Sequence, residues 1–159
     1  MKGYKIMIKI LFVCHGNICR STMAEFVLKD MVDKAGISHD FHIESAATSR
    51  EEIGSDTDPR TKRKLTEHGI SFTKRCARQM MKKDYDEFDY IIGMDDANIK
   101  NIMRITGGDP EGKIRKLLDF CERDESIADP WYTGNFDDTY DDVRQGCAAL
   151  LDHLKEAVK

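Results

Sequence analysis

The sequence predicts an α/β fold, with a parallel sheet covered by helices on both faces. Three observations lead there. Short apolar segments rich in β-formers alternate with longer stretches of helical periodicity, the pattern of strands joined by crossover helices. The first segment, residues 8–13, is apolar almost throughout, as a strand buried on both faces must be. A tight loop, Cys14-His15-Gly16-Asn17-Ile18-Cys19-Arg20-Ser21, then leads from that strand into a helical stretch.

Taken in order, residues 8–13 form the first strand. Ser21 fits an N-cap, after which Ala24, Val27, Leu28, Met31 and Val32 recur at helical spacing until Gly36 stops the helix. Residues 41–46 read as a second strand. Asp58-Pro59 opens a helix with a cap and an N1 proline, and Gly69 ends it. Residues 88–94 form a third strand, and a helix over 95–106 stops at Gly107-Gly108. Residues 114–118 form a short fourth strand. From Asp137, the residues Tyr140, Val143, Cys147, Leu150, Leu151, Leu154 and Val158 mark one face of a long final helix.

At 159 residues the chain fits one domain, 1–159, with room for a real core. No segment approaches the roughly 20 apolar residues of a membrane span. The run 6–13 is too short and is interrupted by Lys9, so membrane insertion is not expected and the setting read is cytoplasmic. A net charge of −4 argues against bulk nucleic-acid binding. Five cysteines at irregular spacing suggest neither a zinc site nor a disulfide framework. One reactive thiol among bystanders is the better reading.

A cysteine and an arginine separated by five residues can wrap one loop around a tetrahedral oxyanion. Amides and guanidinium point inward, and the sulfur attacks from beneath, which suits phosphoryl transfer through a phosphocysteine without a metal. The spacing alone is weak. Its context, a strand end followed by a helix N-terminus, is where amides converge on an anion. Ligands in such sheets also bind beyond the carboxyl ends of strands.

Cys14 is the candidate nucleophile, with a helix start and Arg20 at hand to favour a thiolate. The planar fork of Arg20 suits two phosphoryl oxygens. Gly16 permits close approach or positive φ, and Asn17 tolerates the left-handed region. Ser21 can donate to the sulfur or cap the helix. Cys19 shares the loop, so oxidation can join it to Cys14, while in the resting state it packs beneath the loop. His15 lies in the loop and either tunes the field there or simply faces solvent.

A leaving phenol departs faster when protonated, and Asp129-Pro130-Trp131-Tyr132 offers the acid. Pro130 restricts Asp129 to extended backbone. Trp131 and Tyr132 can wall off the carboxyl or stack on an aromatic substrate. Asp58-Pro59 is an internal control, a cap on a basic helix without aromatic neighbours.

The string from Phe12 and Val13 through Ser21, followed by Met23-Ala24-Glu25, resembles the signature of the low-molecular-weight protein tyrosine phosphatases. Similar matches occur at Glu44-Ser45-Ala46-Ala47-Thr48-Ser49, Ala77-Arg78-Gln79, Phe88-Asp89-Tyr90-Ile91-Ile92, Met94-Asp95 and Asp129-Pro130-Trp131-Tyr132. The resemblance implies a four-stranded parallel sheet of flavodoxin-like, Rossmann-like type. It implies cofactor-free and metal-free hydrolysis of phosphotyrosine, with tyrosine-phosphorylated proteins as partners. By it, Cys14 is the nucleophile, Arg20 binds phosphate, and Asp129 is general acid, then base. Asn17 holds the loop, Ser21 stabilises the thiolate, and Ser45 supports the hydrogen-bond network with Asn17. His15, Gly16, Ile18 and Cys19 complete the loop, with Glu51, Trp131 and Tyr132 around the substrate.

This chain departs from that pattern at several points. His15 stands where an apolar residue is usual, and Thr22 where Pro is common. Arg50-Glu51-Glu52 replaces a loop that often carries an aromatic residue, and Lys74-Arg75-Cys76 stands where a His is frequent. Two other enzyme classes resemble the chain. Arsenate reductases need a further cysteine pair that is missing near Cys76. Arginine phosphatases tend to carry Thr where this chain has Ile18. A non-catalytic phosphotyrosine-binding module would have no use for Asp129.

Overall fold

The computed structural model describes residues 7–157, so Ile6 and Val158 lie outside the described residues. Four parallel strands, β1 (Ile8–Cys14), β2 (Phe41–Ala47), β3 (Tyr90–Gly93) and β4 (Ile114–Lys116), form one sheet in the order β2-β1-β3-β4. The helices are α1 (Arg20–Lys34), α2 (Pro59–Glu67), α3 (Asp84–Glu87), α4 (Asp96–Thr106), α5 (Pro130–Thr133) and α6 (Phe136–Ala157).

β1 shows why its sequence is apolar on consecutive positions. Ile10, Phe12 and Cys14 join the core shared with α1 and α6, while Leu11 and Val13 join a second core that includes Ile102 of α4. Helices therefore cover both faces, and a period of two sorts one strand between two cores. β1 is also the point where strand order reverses. β2 lies on one side of it and β3 on the other. The loops leaving β1 and β3 diverge there and open a crevice at the strands' carboxyl ends.

Several boundaries differ from those read in the sequence. α1 begins at Arg20, so Cys19 and not Ser21 occupies the cap position, and Cys19 makes no side-chain capping bond. Ser21 sits inside the first turn, where its hydroxyl serves the loop. β3 is confined to Tyr90–Gly93 and β4 to Ile114–Lys116. Leu117 and Leu118 continue into a 3-10 turn packed on α6. They are apolar because they are buried, not because they are extended. Asp58 caps α2, its Oδ1 accepting from Arg60 N at 2.8 Å, as its Asp-Pro pattern predicts.

Candidate active site

The 14–21 loop is held from outside by its own carbonyls. Cys14 O accepts from Thr48 N at 2.9 Å, His15 O from Ser49 N at 3.1 Å and Ile18 O from Asp58 N at 2.8 Å. With those carbonyls turned outward, the amides of residues 15–19 have no acceptor among the described residues. They remain available to an oxyanion. The turn itself is made by Asn17 at φ +60°, not by Gly16, which lies outside the positive-φ region.

Inside the loop, Cys14 Sγ lies 3.0 Å from Ser21 Oγ. Asn17 Nδ2 donates to that Oγ at 2.8 Å, occupying a lone pair and leaving the hydroxyl proton free to turn toward a thiolate. Asn17 Oδ1 accepts from Arg75 Nη2 and, at 3.3 Å, from Arg78 N. Asn17 and Ser21 are fully buried behind the loop and do not line the cavity. Ser45 does not join Asn17. Its Oγ donates to Glu25 Oε1 at 2.5 Å, and Glu25 also takes Lys29 Nζ at 2.5 Å.

Arg20 leaves the first turn of α1 with its side chain only 2% exposed. Nη1 donates to Asp95 Oδ2 at 2.6 Å and to Ile127 O at 2.9 Å, and Nη2 faces Asp129 Oδ2 at 3.4 Å. Burial alone would lower the pKa of the guanidinium. The charges at Cys14, Asp95 and Asp129 outweigh it and hold the value above the usual one. Asp95 is the N-cap of α4 as well, its Oδ1 accepting from Asn98 N at 2.7 Å. Gly93 lets α4 approach β3 this closely, because a Cβ there would stand 3.0 Å from Ile99 Cδ1 and 3.1 Å from Asn98 Cβ. Ile127 N donates to Met94 O at 2.8 Å, anchoring the segment that carries Asp129 to the end of β3.

A sequence profile of the family described as low molecular weight phosphotyrosine protein phosphatase matches residues 9–159. The chain belongs to this family. It is 39% identical to the low molecular weight protein-tyrosine-phosphatase YfkJ of Bacillus subtilis, over 94% of this chain and 97% of that one. The crystal structure of YfkJ superposes with a TM-score of 0.94 at 38% identity, covering 99% of this chain and 100% of that one. SP-PTP, the Streptococcus pyogenes low molecular weight protein tyrosine phosphatase, gives 0.84 at 41% identity over 93% of each chain. A Drosophila arginine phosphatase gives 0.85 at 31% identity, covering 93% and 98%.

In this member of the family, one cavity of about 100 Å³ gathers most of the expected residues. Cys14, His15, Gly16, Ile18, Cys19 and Arg20 line it from the loop, and Asp129, Trp131 and Tyr132 line it from the start of α5. Glu51 lines the mouth and pairs with His15, Nε2 to Oε2 at 2.7 Å. Trp131 and Tyr132 are 55% and 82% exposed, so they flank the opening and do not wall Asp129 off from water. Asp129 instead caps α5, its Oδ1 accepting from Trp131 N at 3.0 Å. The Arg60 guanidinium lies 5.4 Å from the centre of the Trp131 ring and 4.7 Å from that of Phe136, tying this loop to α2. The Cys19 thiol is pushed well above its usual range by burial first and by Asp58 next. Asp95, Glu52 and Arg75 also belong to the site's surroundings. The sequence named Asp95 within a family match and Glu52 and Arg75 within departures from the pattern, but assigned none of them a role in the site.

Proposed function

We propose that this chain hydrolyses phosphotyrosine in proteins through a phosphocysteine on Cys14. The Cys14 thiolate attacks phosphorus, forming the S–P bond as the bond from phosphorus to the phenolic oxygen breaks. The electron pair leaves on that oxygen, which takes the proton of Asp129. Loop amides and the Arg20 fork hold the remaining phosphoryl oxygens while charge develops on them. Water then attacks the phosphorus. Asp129, now a carboxylate, takes the water's proton, and the S–P bond breaks to return the thiolate and release phosphate. Neither step draws on a metal or cofactor. The proposed setting is the cytoplasm, where unpaired thiols stay reduced.

The observation that carries this reading is the meeting of Cys14, Arg20 and Asp129 around one cavity. An aryl substrate is favoured by the flanking rings of Trp131 and Tyr132 and by the depth at which Cys14 is buried. A phosphoserine would leave its phosphorus short of the sulfur. Ile18 offers no hydroxyl to orient the guanidinium phosphate of a phosphoarginine. The test is phosphate release from matched phosphotyrosine, phosphoarginine and phosphoserine peptides, with and without EDTA. Phosphotyrosine should lead and EDTA should change nothing. Cys14→Ser should abolish turnover yet still bind vanadate. Full activity in that variant defeats the phosphocysteine.

A further inference from the structure

We infer that the groove between α2 and the turn joining α5 to α6 is a docking surface for carboxylate side chains of the substrate protein, a few residues away from its phosphotyrosine. The inference rests on the reading of the neighbouring cavity as a phosphotyrosine site, and extends that reading to the partner's sequence.

The groove has a volume of about 390 Å³. Arg60, Arg63 and Lys64 line it from α2, and Thr133 and Asn135 from the turn. Its own carboxylates, Glu67 and Asp137, are already taken, because Lys64 Nζ donates to Glu67 Oε1 at 2.7 Å and to Asp137. Arg60 is occupied as well. Its Nη2 meets Asp58 Oδ2 at 2.9 Å, and its guanidinium lies against the rings of Trp131 and Phe136. Arg63 is different. It is exposed, and its side chain has no hydrogen bond or ion pair among the described residues. Across the groove, Thr133 Oγ1 accepts from Asn135 N at 3.0 Å and keeps its proton to donate. A free guanidinium fork suits an acceptor with two oxygens, which a carboxylate supplies. In a chain with a net charge of −4, this groove is a local cationic exception.

The groove adjoins the active-site cavity. Trp131 lines the cavity, Arg60 lines the groove, and the guanidinium lies 5.4 Å from the centre of that ring. Arg63 follows Arg60 by nearly one turn of α2, and a helical turn rises ~5 Å. An extended chain covers roughly 3.3–3.6 Å per residue. Acidic side chains about three to five residues from the phosphotyrosine are therefore in reach of Arg63. Directly beside the phosphotyrosine an acidic residue gains nothing, since Glu51 and Glu52 line the cavity itself.

The experiment is kcat/KM on phosphotyrosine peptides in which a Glu-Glu pair, or a Gln-Gln pair as control, is moved outward on either side of the phosphotyrosine. At about three to five residues, and on one side only, the Glu pair should raise kcat/KM by about two- to tenfold over Gln, chiefly through KM. High salt should flatten the gain. Arg63→Gln should reduce it by roughly 1.4- to fivefold, the weight of one exposed ion pair, and Arg63→Glu should abolish it. Turnover of p-nitrophenyl phosphate, too small to reach the groove, should stay at the wild-type rate in both variants. Failure to hydrolyse any phosphotyrosine peptide would strike the phosphatase reading alone. The groove is then read by amide chemical shifts, where the unphosphorylated Glu peptide should move the amides of residues 60–64 and 133–137 and the Gln peptide should not. No gain over Gln, an equal gain at every position, a gain that survives Arg63→Glu, or unmoved amides in the groove overturns the inference.

Discussion

Asp129 Oδ2 lies 3.4 Å from Arg20 Nη2, so the proposed acid and the proposed oxyanion grip are in direct contact. A bound phosphoryl group would compete with Asp129 for the guanidinium. Asp129→Asn should keep the cap on α5 and lose the proton donor. Turnover of phosphotyrosine should fall by roughly 10²–10⁴-fold. The loss should shrink on substrates with acidic phenols, which leave unprotonated. Equal losses across a leaving-group series would count against the role.

Asp95 holds the other side of the same guanidinium at 2.6 Å while capping α4. The two duties separate by substitution. Asp95→Asn keeps a capping oxygen and loses the charge, so kcat/KM should fall about tenfold or more, the size of one charge-assisted hydrogen bond. Its melting temperature should stay near wild type. Asp95→Ala should lose both, with about 1 kcal/mol of stability gone with the cap. A wild-type kcat/KM in the Asn variant would show that Arg20 is positioned without Asp95.

The strands, the main helices, the cysteine loop and the acid loop were legible because each announces itself locally. A buried strand is a run of apolar residues, and Asp-Pro opens a helix or a rigid loop. Side-chain pairing across the chain is not local. Arg20 meets Asp95 and Asp129, and Arg75 meets Asn17, across long stretches of sequence that no periodicity connects. The same reason moved Ser45 from Asn17 to Glu25. Leu117 and Leu118 misled in a different way, since apolarity reports burial and only length and context report conformation.

Gly146 in α6 lies against the fully buried Leu117, and a Cβ there would stand 2.4 Å from Leu117 Cγ. Alanine is the better helix former by roughly 1 kcal/mol. Overpacking a dense core costs about 1–3 kcal/mol. The clash involves a branch point and not a side-chain tip, so packing should win. Gly146→Ala is expected to lower the melting temperature, and a rise would mean that Leu117 moves aside easily.

Cys14 and Cys19 line the same cavity, so peroxide should convert the Cys14 thiol to a sulfenic acid, releasing water. The Cys19 sulfur then displaces hydroxide to form the disulfide, and a second water is the product. Because burial and Asp58 raise the Cys19 pKa, the attacking sulfur is mostly a thiol at neutral pH. The sign follows: ring closure should quicken as pH rises, by up to ~10-fold per unit while Cys19 stays protonated. Cys19→Ala should leave turnover largely intact but make peroxide damage harder to reverse with a thiol reductant. Mass spectrometry after mild oxidation should show loss of two hydrogens within this loop. A bridge from Cys14 to Cys76 in its place would remove Cys19 from the account.

Two carboxylates line the cavity and should set a preference among phosphopeptides. They are Glu51 and Glu52, with Glu52 Oε1 steadied by Ser55 Oγ at 3.1 Å, and they share the lining with the rings of Trp131 and Tyr132. Basic residues beside the phosphotyrosine should therefore be favoured. Exposed ion pairs contribute about 0.2–1 kcal/mol, so the gain in kcat/KM should be roughly 1.4- to fivefold per charge. Salt screens exposed charges, so high ionic strength should weaken the preference. The measurement is kcat/KM on peptides with matched flanks and varied neighbouring charge, in the wild type, Glu51→Gln and Glu52→Gln. Loss of the preference in the Gln variants, with aryl phosphate turnover unchanged, is the expected outcome. A preference for acidic flanks that survives Glu51→Gln would defeat the charge argument and leave aryl specificity to the rings alone.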